Sequence, residues 1–355
     1  MFNRRGLTVK IRAVLFFLVF FLVLPGPVAA GLLGSKDTHP PVITMQPPET
    51  PQVVFMEKIV IAGVVEAGNR IASLTINHLS LTKPEGSSVF FSHVAELNPG
   101  ENVLTIEAVD AAGNSASKTL HIIRKPASRI QLSGRLSLAV LPFKHETAGS
   151  HAVPGFQDRL THALTRRNRF QMIERHQLEL ILQEQHLNRT SLVNTKTAAK
   201  IGKLVSARAI LTGTIMNVHK RTVIKARMVD VETSKIICTQ EVWETWEDTH
   251  GAGDLAERLA IMFHQDFPLL DGQIIKKEGE NIIVDLGQGR VKPDRRLIIF
   301  REEPVIHPAT GKRVGMDIRI LGHARIIKVL PETAVARFMD GNEKAVKRLD
   351  RFITE

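Results

Sequence analysis

The sequence predicts a multidomain α+β chain: a β-sandwich, then an α/β sandwich, then a small β-barrel. Three observations carry this. Residues 53–125 hold strand-length runs separated by turn signals. Residues 136–267 alternate strand and amphipathic-helix patterns. Residues 268–355 return to short strands between glycine-marked turns. The 355 residues suffice for two or three such units.

The chain opens with Arg4, Arg5, Lys10 and Arg12, then an unbroken apolar run from Ala13 to Leu24, then Pro25-Gly26-Pro27-Val28-Ala29-Ala30. Basic, apolar and small-residue regions in that order predict a signal peptide over residues 1–30, cleaved after Ala30. The apolar run is shorter than the ~20 residues a membrane-crossing helix needs. Gly31 stands where lipid attachment would need a cysteine. The expected location is the periplasm, with no transmembrane span after cleavage and outer-membrane association only through partners.

Formal net charge is +11; four of these charges lie in the leader, leaving +7 on the remainder. No dense basic block or stacking-aromatic pattern accompanies it, so no nucleic-acid partner is expected. The single cysteine, Cys238, excludes an internal disulfide framework. Within Ile236-Ile237-Cys238 it reads as a buried strand thiol and not a nucleophile.

Residues 31–52 are expected to be a proline-rich linker (Pro40, Pro41, Pro47, Pro48, Pro51). Strands are expected at Lys58–Val65, Ser73–Leu81, Ser88–Val94, Asn102–Val109 and Lys118–Arg124. Asp110 and Asn114 suggest a cation site, but turn chemistry explains them better. Val60-Ile61-Ala62-Gly63-Val64, Leu74-Thr75-Ile76-Asn77, Phe90, Leu97, Pro99-Gly100-Glu101-Asn102 and Ala108-Val109-Asp110-Ala111-Ala112-Gly113-Asn114 together resemble bacterial immunoglobulin-like domains. The resemblance spans 53–125 and implies a sandwich.

A second linker is expected at 126–135. Leu136–Phe143 is nearly continuous apolar chain, as in a strand covered on both faces. Phe156, Leu160 and Leu164 repeat at helical spacing, as do Leu178, Ile181, Leu182 and Gln185. Ala198–Val205 reads as a third helix. Ala209–Val218, Thr222–Val231 and Ile236–Trp246 read as strands, and Leu255–Phe267 as a closing helix.

Six stretches in order resemble the curli-secretion family, CsgG, and its soluble relatives. They are Leu138–Phe143, Phe170–Arg175, Leu178 with Ile181–Gln185, Ala198–Leu204, Ala209–Ile215 and Ala226–Thr233. The resemblance covers 136–267 and implies an α/β sandwich whose signature positions are Pro142, Phe143, Glu174, Arg175, Glu184, Gly202, Gly213 and Asp230. It also implies packing into a homo-oligomeric ring.

In 268–355, strands are expected at Gly272–Lys276, Asn281–Leu286, Arg296–Phe300, Gly322–Val329 and Ala334–Phe338. Val291-Lys292-Pro293-Asp294-Arg295 is echoed by Val346-Lys347-Arg348-Leu349-Asp350-Arg351. Asp285-Leu286-Gly287, Lys292, Asp294, Ile298-Ile299-Phe300-Arg301, Pro308, Thr310-Gly311 and Leu321-Gly322 resemble the C-terminal domain of the flagellar T-ring protein FlgT. Leu349 stands where that resemblance puts a glycine.

The sequence contains no Gly-x-Ser-x-Gly elbow, no His-Glu-x-x-His and no phosphate-binding loop. His176 and His186, ten residues apart, would lie roughly 15 Å apart along a helix, too far to share a metal. No enzyme, cofactor or metal is expected. Glu174-Arg175 reads as a structural pair or helix-start carboxylate, not an acid–base couple. Arg166, Arg167 and Arg169 are candidate contacts to an anionic glycan, weighed against cations complementing a helix end. Trp246 is a candidate partner contact, and Trp243 should point to the opposite face. Asn217–Thr222 is too short for an inserted membrane hairpin, which argues against a pore.

The expected function is a non-catalytic binding or assembly protein of an envelope machine, with envelope proteins as partners. The alternative is a regulator of peptidoglycan synthesis of the penicillin-binding-protein-activator type. The modules are expected to fold separately, so that removing 53–125 spares the rest.

Overall fold

The computed structural model describes residues 38–45, 53–81, 86–125, 135–146, 153, 155–185, 191–218, 221–245 and 251–355. The expected leader, the second linker apart from Arg135, and Trp246 lie outside them.

The first module is a two-sheet sandwich. Its strands are β1 (Val42–Met45), β2 (Val53–Val54), β3 (Lys58–Glu66), β4 (Ile71–Ile76), β5 (Leu79–Ser80), β6 (Ser88–Glu96), β7 (Gly100–Asp110) and β8 (Ser115–Arg124). One sheet runs β1-β3-β6 and the other β2-β8-β7-β4-β5. Alternation along β3 buries Ile59, Ile61 and Val65 against Leu74, Ile106 and Ile122 of the other sheet. The expected linker is corrected here: Val42–Met45 pairs antiparallel with β3, Val42 opposite Glu66. Its residues Val-Ile-Thr-Met can fill a pleated edge, whatever the prolines around them do.

The Asp110–Asn114 turn is built by side-chain capping. Asp110 Oδ1 accepts from the backbone N–H of Ala112 at 2.9 Å and of Asn114 at 2.8 Å. Burial opposes the charge of the Asp110 carboxyl, but the Asn114 side-chain amide, which donates to Oδ2 at 2.9 Å, and then these backbone N–H groups hold it below its usual range.

The second module comprises β9 (Ser137–Val140), β10 (Lys144–His145), α1 (Phe156–Arg166), β11 (Gln171–Met172), α2 (Arg175–Glu184), α3 (Thr195–Leu204), β12 (Ala209–Val218), β13 (Arg221–Asp230), β14 (Ile236–Thr245) and α4 (Gly251–Asp266). The sheet order is β11-β9-β12-β13-β14, with β10 also on β12. β9 is parallel to β11 and β12, and the last three strands are antiparallel. Leu138 and Val140 of β9 enter a core shared with Leu160 of α1 and Leu259 and Phe263 of α4. Ala139 and Leu141 enter the opposite core with Leu178 of α2 and Ile201 of α3. Helices therefore cover both faces, which is why this strand carries no polar alternation. Asn194 caps α3 by accepting from Lys196 N at 2.9 Å. β12 and β13 stay in register to Val218 opposite Arg221, leaving two residues to join them.

The third module is a closed barrel of β15 (Asp271–Glu278), β16 (Asn281–Val284), β17 (Arg296–Ile306), β18 (Arg313–Val329), β19 (Ala334–Gly341) and β20 (Arg351–Thr354), in the order β15-β16-β19-β18-β17-β20. Leu270, Ile274, Val284, Leu297, Ile299, Ile326 and Phe352 fill it. Two expected strands are much longer than their sequence signals. β17 and β18 stay paired beyond the barrel to Ile306 opposite Arg313, forming a two-stranded arm. Glu302-Glu303-Pro304 and Gly315 obscured it, since charges, proline and glycine are poor strand formers.

Helix α4 ties the modules together. Ile261 is fully buried in the core of the first module. The Gln265 side-chain amide pairs with one peptide unit of β3: its Oε1 accepts from Val60 N at 3.2 Å and its Nε2 donates to Val60 O at 3.4 Å. The modules are therefore in contact through α4. Removing 53–125 would expose Ile261 and leave that amide without its peptide partner.

Candidate functional site

Two signature glycines answer to packing. A side chain at Gly202 would strike Val231 and Ile210, so its absence lets α3 lie against the sheet. A side chain at Gly213 would strike the carbonyl oxygen of Lys225 and the ring of Phe143. Phe143 is therefore laid over β12, edge-on to Phe156 at 5.3 Å between centroids. Asp230 closes the β13–β14 turn by accepting from Thr233 N at 2.7 Å and Thr233 Oγ1 at 2.8 Å.

Phe143 and Arg175 come together at one cavity of about 170 Å³, also lined by His145, Phe156, Asp158 and Ile215. Arg175 binds Asp158 of α1 and, at 2.6 Å, Glu179 of its own helix. Those hydrogen bonds, to Glu179 first, raise its pKa. Glu174 is the N-cap residue of α2 but makes no side-chain cap bond, and it is not the partner of Arg175. The expected Glu174–Arg175 pair is thus replaced by Asp158–Arg175–Glu179, because residues adjacent at a helix start face different directions. Pro142 lies between β9 and β10, and Glu184 is exposed at the end of α2.

The three candidate arginines separate. Arg166 is exposed and pairs with Glu257 of α4 at 2.9 Å; Arg167, mostly buried, takes the other oxygen of Glu257. Arg169 is buried, with 3% exposure, and its Nε donates to the carbonyl oxygen of Phe267. It does not face a partner or a glycan. Burial, with Arg295 and Arg135 nearby, lowers its pKa to about 9. Cations stand at the ends of both helices: Arg166 lies in the last turn of α1 with Arg167 at its C-cap, and a second set meets the end of α4. Arg295 Nη2 donates to Asp266 O at 2.8 Å, and Lys292 meets the Asp266 carboxylate at 2.9 Å.

Cys238 is half-buried, with Sγ 2.5 Å from Asp266 Oδ2. Burial, then the Asp266 carboxylate, pushes the thiol well above its usual range, the opposite of what a nucleophile needs. Among the described residues no group of His, Cys, Asp or Glu could hold a metal. Trp243 lies on β14 with the Arg221 guanidinium 4.9 Å from its ring centroid.

A junction that the sequence reading missed joins the barrel to the α/β module. Glu232 accepts from Arg296 and, at 2.8 Å, from Arg325. Arg296 also lies 3.7 Å from Asp230, and Arg208 binds the buried Glu355. The adjacent Arg295-Arg296, just after a turn, was the available signal.

The arrangement offers packed modules, cross-module ion pairs and exposed sheet edges, with no activated nucleophile among the described residues. Among the described residues no helix is long and apolar enough to cross a membrane.

The family model of the curli production assembly/transport component CsgG matches residues 119–223. The match begins in β8, crosses into the α/β module and stops within β13. An uncharacterized protein of Aquifex aeolicus (strain VF5) is 31% identical over 72 residues, 20% of this chain; the match covers 14% of that protein's length. Among solved structures, the LpoB C-terminal domain from Salmonella enterica is 21% identical, covering 32% of this chain and 86% of its own, with a TM-score of 0.29. Lipoprotein GNA1162 from Neisseria meningitidis is 16% identical, covering 37% and 95%, with a TM-score of 0.30. A PelC dodecamer from Paraburkholderia phytofirmans is 12% identical, covering 38% and 90%, with a TM-score of 0.27.

Proposed function

We propose that this chain is a non-catalytic assembly protein of a bacterial cell envelope. It serves a curli-like secretion, surface-fibre or flagellar-ring machine from the periplasm. The observation that carries the reading is the match of residues 119–223 to the curli production assembly/transport family. Supporting it, the β12–β13 connection has only two residues, far from the ~9–11 per strand that a membrane hairpin needs. The leader-like first thirty residues and the likeness of 53–125 to immunoglobulin-like domains of exported proteins fit the same compartment.

In this reading the α/β module is a rigid core. The sandwich and the barrel present binding surfaces that α4 and the Glu232 ion pairs hold in fixed orientation. The test is affinity capture of the chain from intact envelopes after cross-linking. Fibre-export or flagellar basal-body components should co-purify. A peptidoglycan synthase recovered without them would overturn the reading in favour of a regulator of cell-wall synthesis.

A further inference from the structure

The arm of the barrel carries an unpaired sheet edge. β18 pairs with β17 on one side along its whole arm, but with β19 only from Gly322 onward. The outer edge from Arg313 to Ile320 has no strand beside it among the described residues. The other edge of the arm, on β17, contains Glu302, Glu303 and Pro304, residues that blunt an edge. The β18 edge contains no proline.

One face of that edge is apolar. Met316, Ile318 and Ile320 alternate onto it. Ile318 packs partly against the small core of Ile298, Phe300 and Ile353, while Met316 and Ile320 are each 40% exposed. The opposite face carries Asp317 and Arg319. Within the arm both are set against like charge: Asp317 lies opposite Glu303, and Arg319 opposite Arg301. Like charges directly opposite across a ladder are unfavourable. Arg301 is neutralised elsewhere, by Asp350 at 2.7 and 2.8 Å. Neither Asp317 nor Arg319 forms an ion pair among the described residues.

The local sequence is Met316-Asp317-Ile318-Arg319-Ile320, which is self-complementary when read antiparallel about Ile318. We propose that β18 pairs edge to edge with β18 of a second copy, antiparallel and two-fold, with Ile318 facing Ile318 of the partner subunit. This register sets each Asp317 opposite the partner's Arg319, and each Met316 opposite the partner's Ile320. Residues directly opposite in an antiparallel pair share a face, so six apolar side chains form one strip and two ion pairs form on the other face. Two-fold registers centred one residue either way set Asp317 against the partner's Asp317, or Arg319 against the partner's Arg319. Charge therefore selects the Ile318 register. The ladder is short, so association is reversible and concentration-dependent.

Sedimentation of the purified full chain tests this. The wild type should show a monomer–dimer equilibrium. Asp317→Arg alone sets guanidinium against guanidinium, and Arg319→Asp alone sets carboxylate against carboxylate. Each should weaken self-association at least about tenfold. An equimolar mixture of these two variants should associate again, because every opposed pair is then of opposite sign; misfolding could not produce that rescue. A wild type that stays monomeric at every concentration overturns the proposal. So do single variants that associate like the wild type, or a mixture no more associated than its components.

Discussion

The Arg295 guanidinium lies 3.5 Å from the centroid of the Phe267 ring, bringing a barrel side chain onto the residue that follows α4. The same guanidinium donates to Asp266 O. Burial lowers its pKa to about 10, yet it stays charged at neutral pH. Arg295→Ala removes the ring contact and a charged hydrogen bond at a helix terminus. It should lower unfolding free energy by about 2–3 kcal/mol in denaturant titration. Arg295→Lys should recover little of this, since an ammonium cannot both lie flat on the ring and keep that bond.

Gly202 sets helix propensity against packing. In an exposed helix Gly→Ala gains about 1 kcal/mol. Here the new methyl meets Val231 and Ile210, and overpacking costs about 1–3 kcal/mol. Gly202→Ala should therefore be destabilising. Gly213→Ala should be worse, because its obstacle includes the Lys225 carbonyl oxygen, which cannot rotate away. Thermal melts of the two variants check both sign and order.

Leu349 adopts φ +73°, and the residue is 63% exposed. The equivalent position in the echoed turn is Asp294 at φ +65°, a residue type that tolerates this conformation better. The left-handed region costs an L residue roughly 1–2 kcal/mol, partly offset by the entropy of glycine. Leu349→Gly should raise stability by about 1 kcal/mol, read as a shift in denaturant midpoint with unchanged slope.

Burial, then Arg169 and Arg167, lowers the His264 pKa from 6.5 to about 3. The folded chain holds this ring neutral while the unfolded chain protonates it near 6.5. Its stabilising contribution is complete above that pH and is lost as pH falls from 6.5 towards 3. The loss is at most about 1.4 kcal/mol per pH unit. Its Nδ1 is buried without a partner, so His264→Phe removes no hydrogen bond at that atom. The variant should lose stability less steeply than the wild type between pH 6.5 and 5, by about one proton. Parallel curves would show that His264 titrates normally.

Much of the architecture was legible in local pattern. The period-2 runs of the first module, the apolar Leu136–Phe143 strand and the four-residue repeat of Phe156, Leu160 and Leu164 each report burial on one face or two, and burial is what secondary-structure periodicity encodes. The paired strands β12 and β13 announced themselves in the same way. What escaped were elements whose local residues oppose their state: β1 among prolines, and the arm through Glu302-Glu303-Pro304. These exist because a neighbouring strand supplies the hydrogen bonds that propensity alone would not secure.

For the candidate site, the sequence by itself determined the residue types: signature glycines without side chains, a lone strand cysteine and arginines at a helix end. Only the tertiary structure decided their roles. Arg169 looked like its neighbours Arg166 and Arg167, yet it is buried against Phe267, a residue 98 positions away. Glu174 and Arg175 are adjacent in the chain but do not pair. The physical reason is that a side chain's direction depends on the dihedrals of its own element, while its partner depends on what other elements bring to that spot. Contacts between residues as distant as Val60 and Gln265, or Glu232 and Arg325, leave no periodic trace in the sequence.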